Sequence, residues 1–328
     1  MYDHYIALDW AQTNMAIARM TGKTDKISVT DVPASVKEFK GYLGRLKGSV
    51  VLTFEETTTA QWLFTELSNH VDKIIVCDPF RNKLLNEGAK TDRIDAKKLV
   101  TLLKAGLLKP VFHSCDKFIS YRKLTSGYKD LVVSGVRLKN QRAALFRAVG
   151  KHRRSKTIVG EAENFVLEGI HEAIELYERR KALYEKKFSQ ICKKHPMARN
   201  LLTIPGIGVI GAVKIVAIVV SAGRFPKKNH FLSYSGLVKH ELLSGGRSYG
   251  RRTPRCCREL KSIFKIGALA CIAPNVEGPL KQYYQSLIEN KTHSEHMARH
   301  AVARRLATIV YGVLKTERKF DPKRLKTS

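Results

Sequence analysis

Two aspartates three residues apart, Asp92 and Asp95, lie in the stretch of this sequence whose residue types best suit chemistry. If residues 90–98 open a helix, both carboxylates project from one face about a turn apart, and Asp92 suits the N-terminal position. Carboxylate oxygens are ligands for divalent cations, and the neighbouring Lys90 and Arg93 could attract a phosphate group. An ordinary solvated helix start has the same composition, so a metal site requires further carboxylates at the same place.

Two further acids stand at the ends of predicted strands. Asp9 ends an apolar strand over residues 5–9, and Glu55 directly follows an internal strand over residues 50–54. Glu56 is the alternative to Glu55, because the alternation of a strand lets only one of the two face a given site. Four acids from three elements could hold two Mg²⁺ ions, with Mn²⁺ as the alternative ion, to assist the attacking and leaving oxygens of a phosphodiester. The candidate catalytic and metal-binding residues are therefore Asp9, Glu55, Asp92 and Asp95.

Short apolar strands alternate with helical segments through the first 110 residues. The apolar patterns predict strands at residues 5–9, 15–19, 26–32, 50–54 and 73–77. Helical spacing predicts helices at residues 34–46, 59–67 and 92–104. Three antiparallel strands followed by strand–helix alternation is the element order of the ribonuclease H-like fold. We therefore expect an α/β domain of this fold over residues 1–112, with the Asp92 helix packed across its sheet.

The positive charge of the chain is concentrated after residue 110. The net charge is +30, but residues 1–110 carry 16 Lys and Arg against 13 Asp and Glu, whereas residues 111–328 carry 43 against 16. This imbalance predicts a nearly neutral catalytic unit followed by a body that binds a polyanion. The six cysteines lack C-x-x-C spacing, and no apolar run is long enough to span a bilayer. We expect a cytoplasmic protein without disulfides, structural zinc or membrane contact.

The segment after residue 112 is predicted to be helical. Leucines recur every seven residues from Leu124 to Leu145, and a looser apolar stripe follows within residues 161–194. A heptad repeat has two apolar positions, and the one that the leucines do not fill is interrupted at Gly135. Gly127 and Gly135 each weaken a helix by up to ~1 kcal/mol. The heptads leave two interpretations open, a helical hairpin within one chain or a coiled coil between protomers.

The remaining residues, 196–328, predict a mainly helical body that contains a turn of the helix–hairpin–helix type. Within residues 204–208, Gly206 and Gly208 permit a tight turn whose N–H groups, at a helix start, can face a phosphate. The alternative is a purely structural turn between two helices. On the first interpretation, Gly206 and Gly208 lie against a nucleic-acid backbone.

A serine in a glycine- and arginine-rich stretch is the candidate nucleophile. Ser244 precedes a Gly-Gly pair in an expected loop that also contains Arg247, Arg251 and Arg252. Glycines let a DNA backbone approach closely, and guanidinium groups hold a phosphate and offset developing charge. No histidine adjoins Ser244 in sequence, so we expect activation of its hydroxyl to come from the metal site. The alternative is a turn that only contacts phosphate.

A helix predicted from Pro254 onward extends the basic surface. It carries Arg255, Arg258, Lys261 and Lys265 largely on one stripe, as a face that contacts a nucleic-acid backbone would.

Several of these segments resemble the DEDD transposases and recombinases of insertion-sequence family one-ten, with the Piv-type invertases as close relatives. Residues 90–96 closely match the family signature Lys-Thr-Asp-x-x-Asp-Ala, and residues 5–9 are similar to its first-strand acid. Residues 54–57 resemble its Glu-Ala-Thr-Gly segment, which favours Glu55 as the ligand. Ser244 follows Leu237 by seven residues, where the family carries its nucleophilic serine. Further similarities lie at residues 204–208, 235–237 and 311–315.

The resemblance implies a RuvC-like nuclease domain over residues 1–112, a coiled-coil segment over 113–195 and a serine-bearing transposase domain over 196–328. Family members exchange DNA strands through a covalent phosphoserine, with the metal-bound acids and the serine contributed by different protomers. Insertion-element members choose donor and target DNA with a bridge RNA. The implied partners are therefore Mg²⁺, donor and target DNA, a bridge RNA and a second or further copies of the chain, as a homodimer or homotetramer at the bacterial nucleoid.

The chain departs from the family pattern at three places. Trp10-Ala11-Gln12 replaces the usual Ala/Ser-Lys after the first acid, residues 56–58 lack the family glycine, and residues 254–259 replace a Lys-x-Gly-Asn-like segment. Other interpretations therefore stay open: a Piv-type DNA invertase without an RNA guide, and a junction nuclease that uses water as the nucleophile. A non-catalytic scaffold would need only the basic two-thirds of the chain.

Overall fold

The computed structural model describes residues 1–80, 91–114, 118–152, 155, 157–158, 160–290 and 294–324. The chain divides into two compact units, Met1–Asp116 and Lys117–Ser328. The first is a mixed α/β unit and the second is mostly helical, which confirms the expected fold class at this level. The division into three domains stays a prediction.

A five-stranded mixed sheet forms the centre of the first unit. Its strands are β1 (His4–Trp10), β2 (Asn14–Thr21), β3 (Ser28–Pro33), β4 (Val50–Glu55) and β5 (Lys73–Cys77). The spatial order is β3-β2-β1-β4-β5; β2 is antiparallel to both β1 and β3, and β4 is parallel to both β1 and β5. The strand β1 is central and buried on both faces, which is why it is an almost continuous apolar run.

Three helices cover the two faces of this sheet. On one face, α1 (Val36–Gly44) and α2 (Ala60–Leu67) pack where Ile6 and Leu8 of β1 are buried. On the other face, α3 (Asp92–Lys104) packs against Tyr5 and Ala7 of the same strand. Alternation along β1 therefore places its odd-numbered residues on the α3 side and its even-numbered residues on the side of α1 and α2.

A long helical hairpin begins the second unit. Its helices α4 (Phe118–Ala148) and α5 (Glu161–Lys194) pack along each other, as one of the two heptad interpretations expected. A Cβ built on Gly135 would lie 2.3 Å from the Tyr177 ring, and one on Gly127 would lie 2.7 Å from the Tyr184 hydroxyl. The glycines that weaken α4 as an isolated helix therefore make room for two tyrosines of α5. The coiled coil between protomers stays a prediction.

Helices also form most of the rest of the second unit. They are α6 (Pro196–Leu201), α7 (Val209–Val219), α8 (Lys228–Tyr234), α9 (Arg258–Cys271), α10 (Pro279–Glu289) and α11 (Glu295–Thr316). Phe231 of α8, Phe264 of α9 and Val310 of α11 are fully buried in one shared core. Within the part of the chain that the structure describes, no helix is long and apolar enough to cross a bilayer.

A β-hairpin stands where the sequence predicted a loop. Its strands β6 (His240–Ser244) and β7 (Arg247–Arg252) pair antiparallel. The helix predicted from Pro254 begins only at Arg258, so Arg255 lies before it. The reason is a tertiary contact: the Cys257 N–H donates to the Tyr234 carbonyl at 2.7 Å, and this ties the preceding segment to α8.

Candidate active site and nucleic-acid interface

Asp9 and Glu55 lie near the ends of two neighbouring parallel strands. The register of β1 and β4 pairs Ala7 with Thr53, so two residues farther along it sets Asp9 beside Glu55. Side chains two residues apart in a strand point to the same face, so Asp9 lies on the face of Ala7, and Glu55 on the face of Thr53. This is the face that α3 covers, and both acids are half-buried there. The strand pairing therefore brings these two predicted acids to one face at one edge of the sheet.

The adjacent Glu56 is held on the other side. Its Oε2 lies 2.5 Å from Nε2 of His113, whose side chain is only 6% exposed. The His113 ring packs against Phe64 of α2, with 5.4 Å between the ring centroids. Because α2 covers the face away from α3, this contact turns the Glu56 carboxylate away from Asp9. The geometry therefore favours Glu55 over Glu56 as the acid beside Asp9.

An ion pair ties the first turn of α3 to the same edge. Arg93 Nη1 lies 2.6 Å from Oδ2 of Asp31 on β3. Asp31 pairs with Ala16 of β2, and Ala16 in turn pairs with Asp9. The start of α3 therefore lies over the row of residues that crosses the sheet at Asp9.

The far end of α3 fixes the direction of the helix. Lys104 Nζ donates to the Thr21 carbonyl at 3.0 Å, and Thr21 pairs with His4, the first residue of β1. The helix therefore runs antiparallel to β1. Its acidic first turn lies at the edge where β1 and β4 end.

Helical spacing turns Asp92 and Asp95 toward the sheet. Asp92 lies four residues before Ala96, and Asp95 four before Leu99, and both of these apolar residues are buried against the sheet. The Thr91 side chain caps the helix by accepting a backbone hydrogen bond at 3.3 Å, so Asp92 is the first residue of α3. Asp92 is exposed and Asp95 is half-buried.

Four carboxylates from β1, β4 and α3 thus share one face and one edge. This all-oxygen donor set fits Mg²⁺, which binds through one or a few carboxylates and keeps several waters. Among the residues that the structure describes, no three His, Cys, Asp or Glu side chains lie close enough together to hold a metal ion. The acids are brought to one region without closing into a ligand shell, and their role as ligands stays a prediction.

The two predicted phosphate contacts beside these acids have different outcomes. Lys90 lies outside the described residues. Arg93 is ion-paired with Asp31, and both side chains are about half exposed, at 56% and 43%. An exposed pair of this kind contributes only ~0–1 kcal/mol, so a phosphate could displace Asp31 from Arg93.

Ser244 is the last residue of β6, directly before a two-residue turn. Gly245 and Gly246 have φ of 55° and 77°, the left-handed conformation that a type I′ turn requires at both positions. Ser244 pairs with Arg247 across this turn, so the hydroxyl and the guanidinium project from the same face of the hairpin. Both residues are exposed, and a phosphate that approaches Ser244 therefore meets Arg247 beside it.

The other predicted arginines of the hairpin lie farther along β7. Arg251 pairs with Glu241 and Arg252 with His240, and every residue of β7 is exposed. A two-stranded hairpin in water is only marginally stable by itself, because it buries little apolar surface. The hairpin is therefore an exposed basic arm of the second unit.

Gly206 and Gly208 lie in the turn between α6 and α7, and their contact with phosphate stays a prediction. Gly206 has φ of 79°, and a Cβ there would lie 2.4 Å from the Gly267 carbonyl oxygen, so only glycine fits. Gly208 is the N-cap residue of α7. Both glycines line a groove of about 930 Å³ whose charged lining residues are Lys129, Lys214, Arg258, Glu185 and Glu259. The groove thus combines a helix N-terminus with side chains of both charges, and Lys214 is paired with Glu259 at 2.7 Å.

The basic stripe of α9 has a counterpart on α11 that the sequence analysis missed. The pKa of His300 is lowered, mainly because the ring is partly buried. A hydrogen bond with the Leu237 backbone raises this pKa, whereas the charges of Arg304, Lys265 and Lys261 lower it further. These groups therefore lie near one another although the two helices are separate in sequence. The spacing of four between His300 and Arg304 was the available signal, but it does not reveal the neighbouring helix.

Known proteins resemble this chain in both of its units. A family model for the DEDD transposase of IS110 matches residues 6–150, and a model for the transposase family IS116/IS110/IS902 matches residues 198–285. An uncharacterized 43.6 kDa protein of insertion element IS110 from Streptomyces coelicolor is 30% identical over 142 residues. That match covers 43% of this chain and 34% of the relative, so the chain aligns with about a third of the relative's length.

The matched ranges coincide with the two groups of candidate residues. The first model covers Asp9, Glu55, Asp92 and Asp95, and the second covers the glycine turn at 206–208 and the serine hairpin. Since two models of one family match successive parts of the sequence, the chain belongs to the IS110 family of DEDD transposases.

Proposed function

We propose that this protein is a DNA transposase that cleaves and exchanges DNA strands, and that its first unit has a ribonuclease H-like, RuvC-like fold. The observation that carries the proposal is the position of Asp9, Glu55 and the first turn of α3 at one edge and on one face of the sheet. Membership of the IS110 family supports the reaction class.

The four acids are proposed to bind Mg²⁺, with Mn²⁺ as the alternative ion. Divalent ions held by Asp9, Glu55, Asp92 and Asp95 would supply the positive charge that phosphoryl transfer requires. The carboxylates themselves fix the position of the phosphate relative to the sheet edge. Arg93 adds a guanidinium on the same turn of α3 once the phosphate replaces Asp31 as its partner.

Ser244 is the proposed nucleophile. Its oxygen attacks the phosphorus of a DNA phosphodiester and gives up its proton, while the bond to the leaving strand breaks and the leaving oxygen takes up a proton. One DNA end is then esterified to Ser244. Attack on this ester by the hydroxyl end of another strand transfers the DNA and returns the proton to the serine. Arg247, paired with Ser244, offsets the charge on the phosphoryl oxygens.

Nucleic-acid binding is assigned to the second unit, which lies within the basic part of the chain. The N–H groups at Gly206 and Gly208 contact the sugar–phosphate backbone, together with the cations of the hairpin, of α9 and of the segment between them. These cations are Arg247, Arg251 and Arg252 on the hairpin, Arg255 between the hairpin and α9, and Lys261 on α9. Donor and target DNA, a bridge RNA and further copies of the chain, as a homodimer or homotetramer, are the proposed partners in the bacterial cytoplasm. The basic excess of residues 111–328 supports a nucleic acid as the main partner.

Trapping of the covalent intermediate tests the nucleophile. Full-length protein, Mg²⁺ and end-labelled DNA from both flanks of its gene should give a labelled protein band on a denaturing gel. Ser244→Ala should abolish this band, while Ser248→Ala, an exposed serine on the other strand of the hairpin, should retain it. Asp92→Asn should abolish cleavage and leave DNA binding intact. Cleavage that persists in Ser244→Ala would instead identify a nuclease that uses water.

Sequencing of the copurified nucleic acid separates the guided from the unguided alternative. A single RNA species encoded beside the gene is expected for a guided transposase. Recombination by protein that nuclease treatment has freed of RNA would identify an invertase that recognises DNA directly.

A further inference from the structure

The two tryptophans of this chain, Trp10 and Trp62, pack against each other beside the candidate active site. Trp10 is the last residue of β1 and directly follows Asp9, and Trp62 is the third residue of α2. Their ring centroids lie 5.5 Å apart with the ring planes at 78°, an edge-to-face arrangement. In this geometry one ring presents its edge to the other, so aromatic surface remains that the pair itself does not cover.

The exposure of Trp62 exceeds what anchoring α2 requires. The helix is held on the sheet by Ala60, Leu63 and Leu67, all of which are almost completely buried. Trp62 lies off this stripe, and 46% of it is exposed. A large, rigid aromatic ring that is half in solvent and braced by a second ring is suited to stacking with a flat ligand.

The location of the pair suggests what that ligand is. Trp10 and Asp9 are consecutive in β1, so alternation sends them to opposite faces of the same sheet edge. The acids and the tryptophans thus lie on the two faces at the end of β1, and a nucleic-acid strand that crosses this edge would pass from one to the other. The argument rests on the proposed function to the extent that it takes the ligand of the acids to be a nucleic acid.

Charge alone does not attract nucleic acid to this edge. Residues 1–110 carry 16 basic against 13 acidic side chains, and the acids at the edge repel phosphate unless cations are present. Stacking on an aromatic ring requires no charge and tolerates any base, because every base has a π-face. Inside a duplex the base faces are already covered, so the ligand has to be a base that is free of its neighbours.

We propose that Trp62, braced by Trp10, is a stacking site for one unpaired nucleobase of the strand whose phosphate lies at the acidic edge. The site would hold single-stranded or locally opened nucleic acid at the first unit, independently of the basic surfaces of the second unit.

Tryptophan emission provides a direct test, because both tryptophans belong to this pair. Titration of the full chain with an oligothymidylate of about 16 nucleotides, in the presence of Mg²⁺, should quench the emission to saturation. A blunt duplex at equal phosphate concentration should quench it much less. Emission that stays unchanged on saturation with the single strand would overturn the proposal.

Variants assign the effect to Trp62 in a separate anisotropy measurement with a labelled oligothymidylate. Trp62→Ala should weaken binding roughly 5- to 150-fold, the change that corresponds to about 1–3 kcal/mol per stacked base. The log–log salt slope should stay the same, because stacking neutralises no phosphate. Trp62→Phe should retain most of the affinity, and Leu107→Ala, another exposed apolar residue of the first unit, should behave like the unchanged protein.

The two proposals fail in distinguishable ways. Unchanged affinity in Trp62→Ala, in a protein that still forms the Ser244 adduct, would remove the stacking site and leave the transposase assignment standing. Quenching and a Trp62-dependent affinity in a protein that never forms the adduct would keep the stacking site and remove the serine mechanism.

Discussion

Nε2 of His113 lies 2.5 Å from Oε2 of Glu56, while Nδ1 of the same ring lies 3.1 Å from Oε1 of Gln61. The Gln61 amide is oriented by its own nitrogen, which donates to the Ser114 carbonyl at 3.2 Å and so leaves Oε1 toward His113. Both ring nitrogens therefore face oxygen atoms, and the ring is held from both sides. The arrangement fixes Glu56 on the α2 side and leaves Glu55 as the acid on the side of α3.

Exchange of each glutamate tests this division of roles. Glu55→Gln should weaken Mn²⁺ binding, measured by calorimetry, and abolish strand cleavage. Glu56→Gln should retain metal binding but lose about 1.5–3 kcal/mol of stability, measured by urea unfolding, because a charge-assisted hydrogen bond to His113 is lost. The reverse result, with metal binding lost only in Glu56→Gln, would assign the ligand to Glu56.

Nucleic-acid affinity should fall steeply with salt. Each phosphate neutralised on duplex DNA adds ~0.9 to the slope of log affinity against log salt concentration, and residues 111–328 carry the excess of basic residues. Arg251→Ala should lower this slope by ~0.9 and should lower the affinity for DNA of every sequence by the same factor. Arg251→Lys keeps the charge and should keep the slope. Anisotropy titrations between low and moderate salt give both values. An affinity that hardly responds to salt would contradict the assignment of the basic surface.

The packing of the helical hairpin should depend on Gly135. In Gly135→Ala the new Cβ would meet the Tyr177 ring at 2.3–2.5 Å, so we expect a loss of about 1–3 kcal/mol in the free energy of unfolding. Gly169→Ala is the matched control on α5, because no atom lies within 4 Å of its added Cβ; it should gain up to ~1 kcal/mol. Equal stabilisation by both substitutions would show that the two helices are packed differently.

The free energy of unfolding should decrease as the pH falls below about 6.5, and part of this decrease should come from His300. Burial lowers its pKa in the folded protein, whereas a histidine in the unfolded chain titrates near 6.5. As the pH falls below that value the unfolded state binds the proton first, so unfolding is favoured. His300→Gln should reduce the difference in melting temperature between pH 8 and pH 5.5, and His230→Gln, an exposed histidine of α8, serves as the control. An unchanged difference in His300→Gln would exclude this histidine as the cause.

The first unit was predictable from the sequence because its signals are local. The strands β1, β2, β4 and β5 are largely apolar runs covered by helices, whereas β3 is mostly exposed. The helix α3 spans the predicted residues 92–104, with Thr91 as its cap. The match of residues 90–96 to the family signature adds the identity of the acids. The pairing of Glu56 with His113 spans 57 residues, and nothing near either residue announces it.

The hairpin at residues 240–252 escaped prediction for the opposite reason. Its residues are charged, glycine-rich and exposed on both faces, so they lack the alternation by which a half-buried strand is recognised. The Gly245-Gly246 pair between them was the one available signal, since Gly-Gly suits a two-residue hairpin turn. The start of α9 at Arg258 depends on the hydrogen bond between Cys257 and Tyr234. The two residues lie far apart in sequence, so no local sequence pattern predicts this contact.

The two glycine–tyrosine contacts of the helical hairpin also give it a set length. If α5 slid by one heptad along α4, the Tyr177 ring would meet Tyr128 or Arg142 in place of Gly135, and neither leaves room for it. The helix α4, which has 31 residues, places the tip of the hairpin about 45 Å from its first residue, at 1.5 Å per helical residue. The hairpin thus acts as a spacer of defined length, and a larger residue at Gly127 or Gly135 in a homologue should be accompanied by a smaller one at the position of its tyrosine.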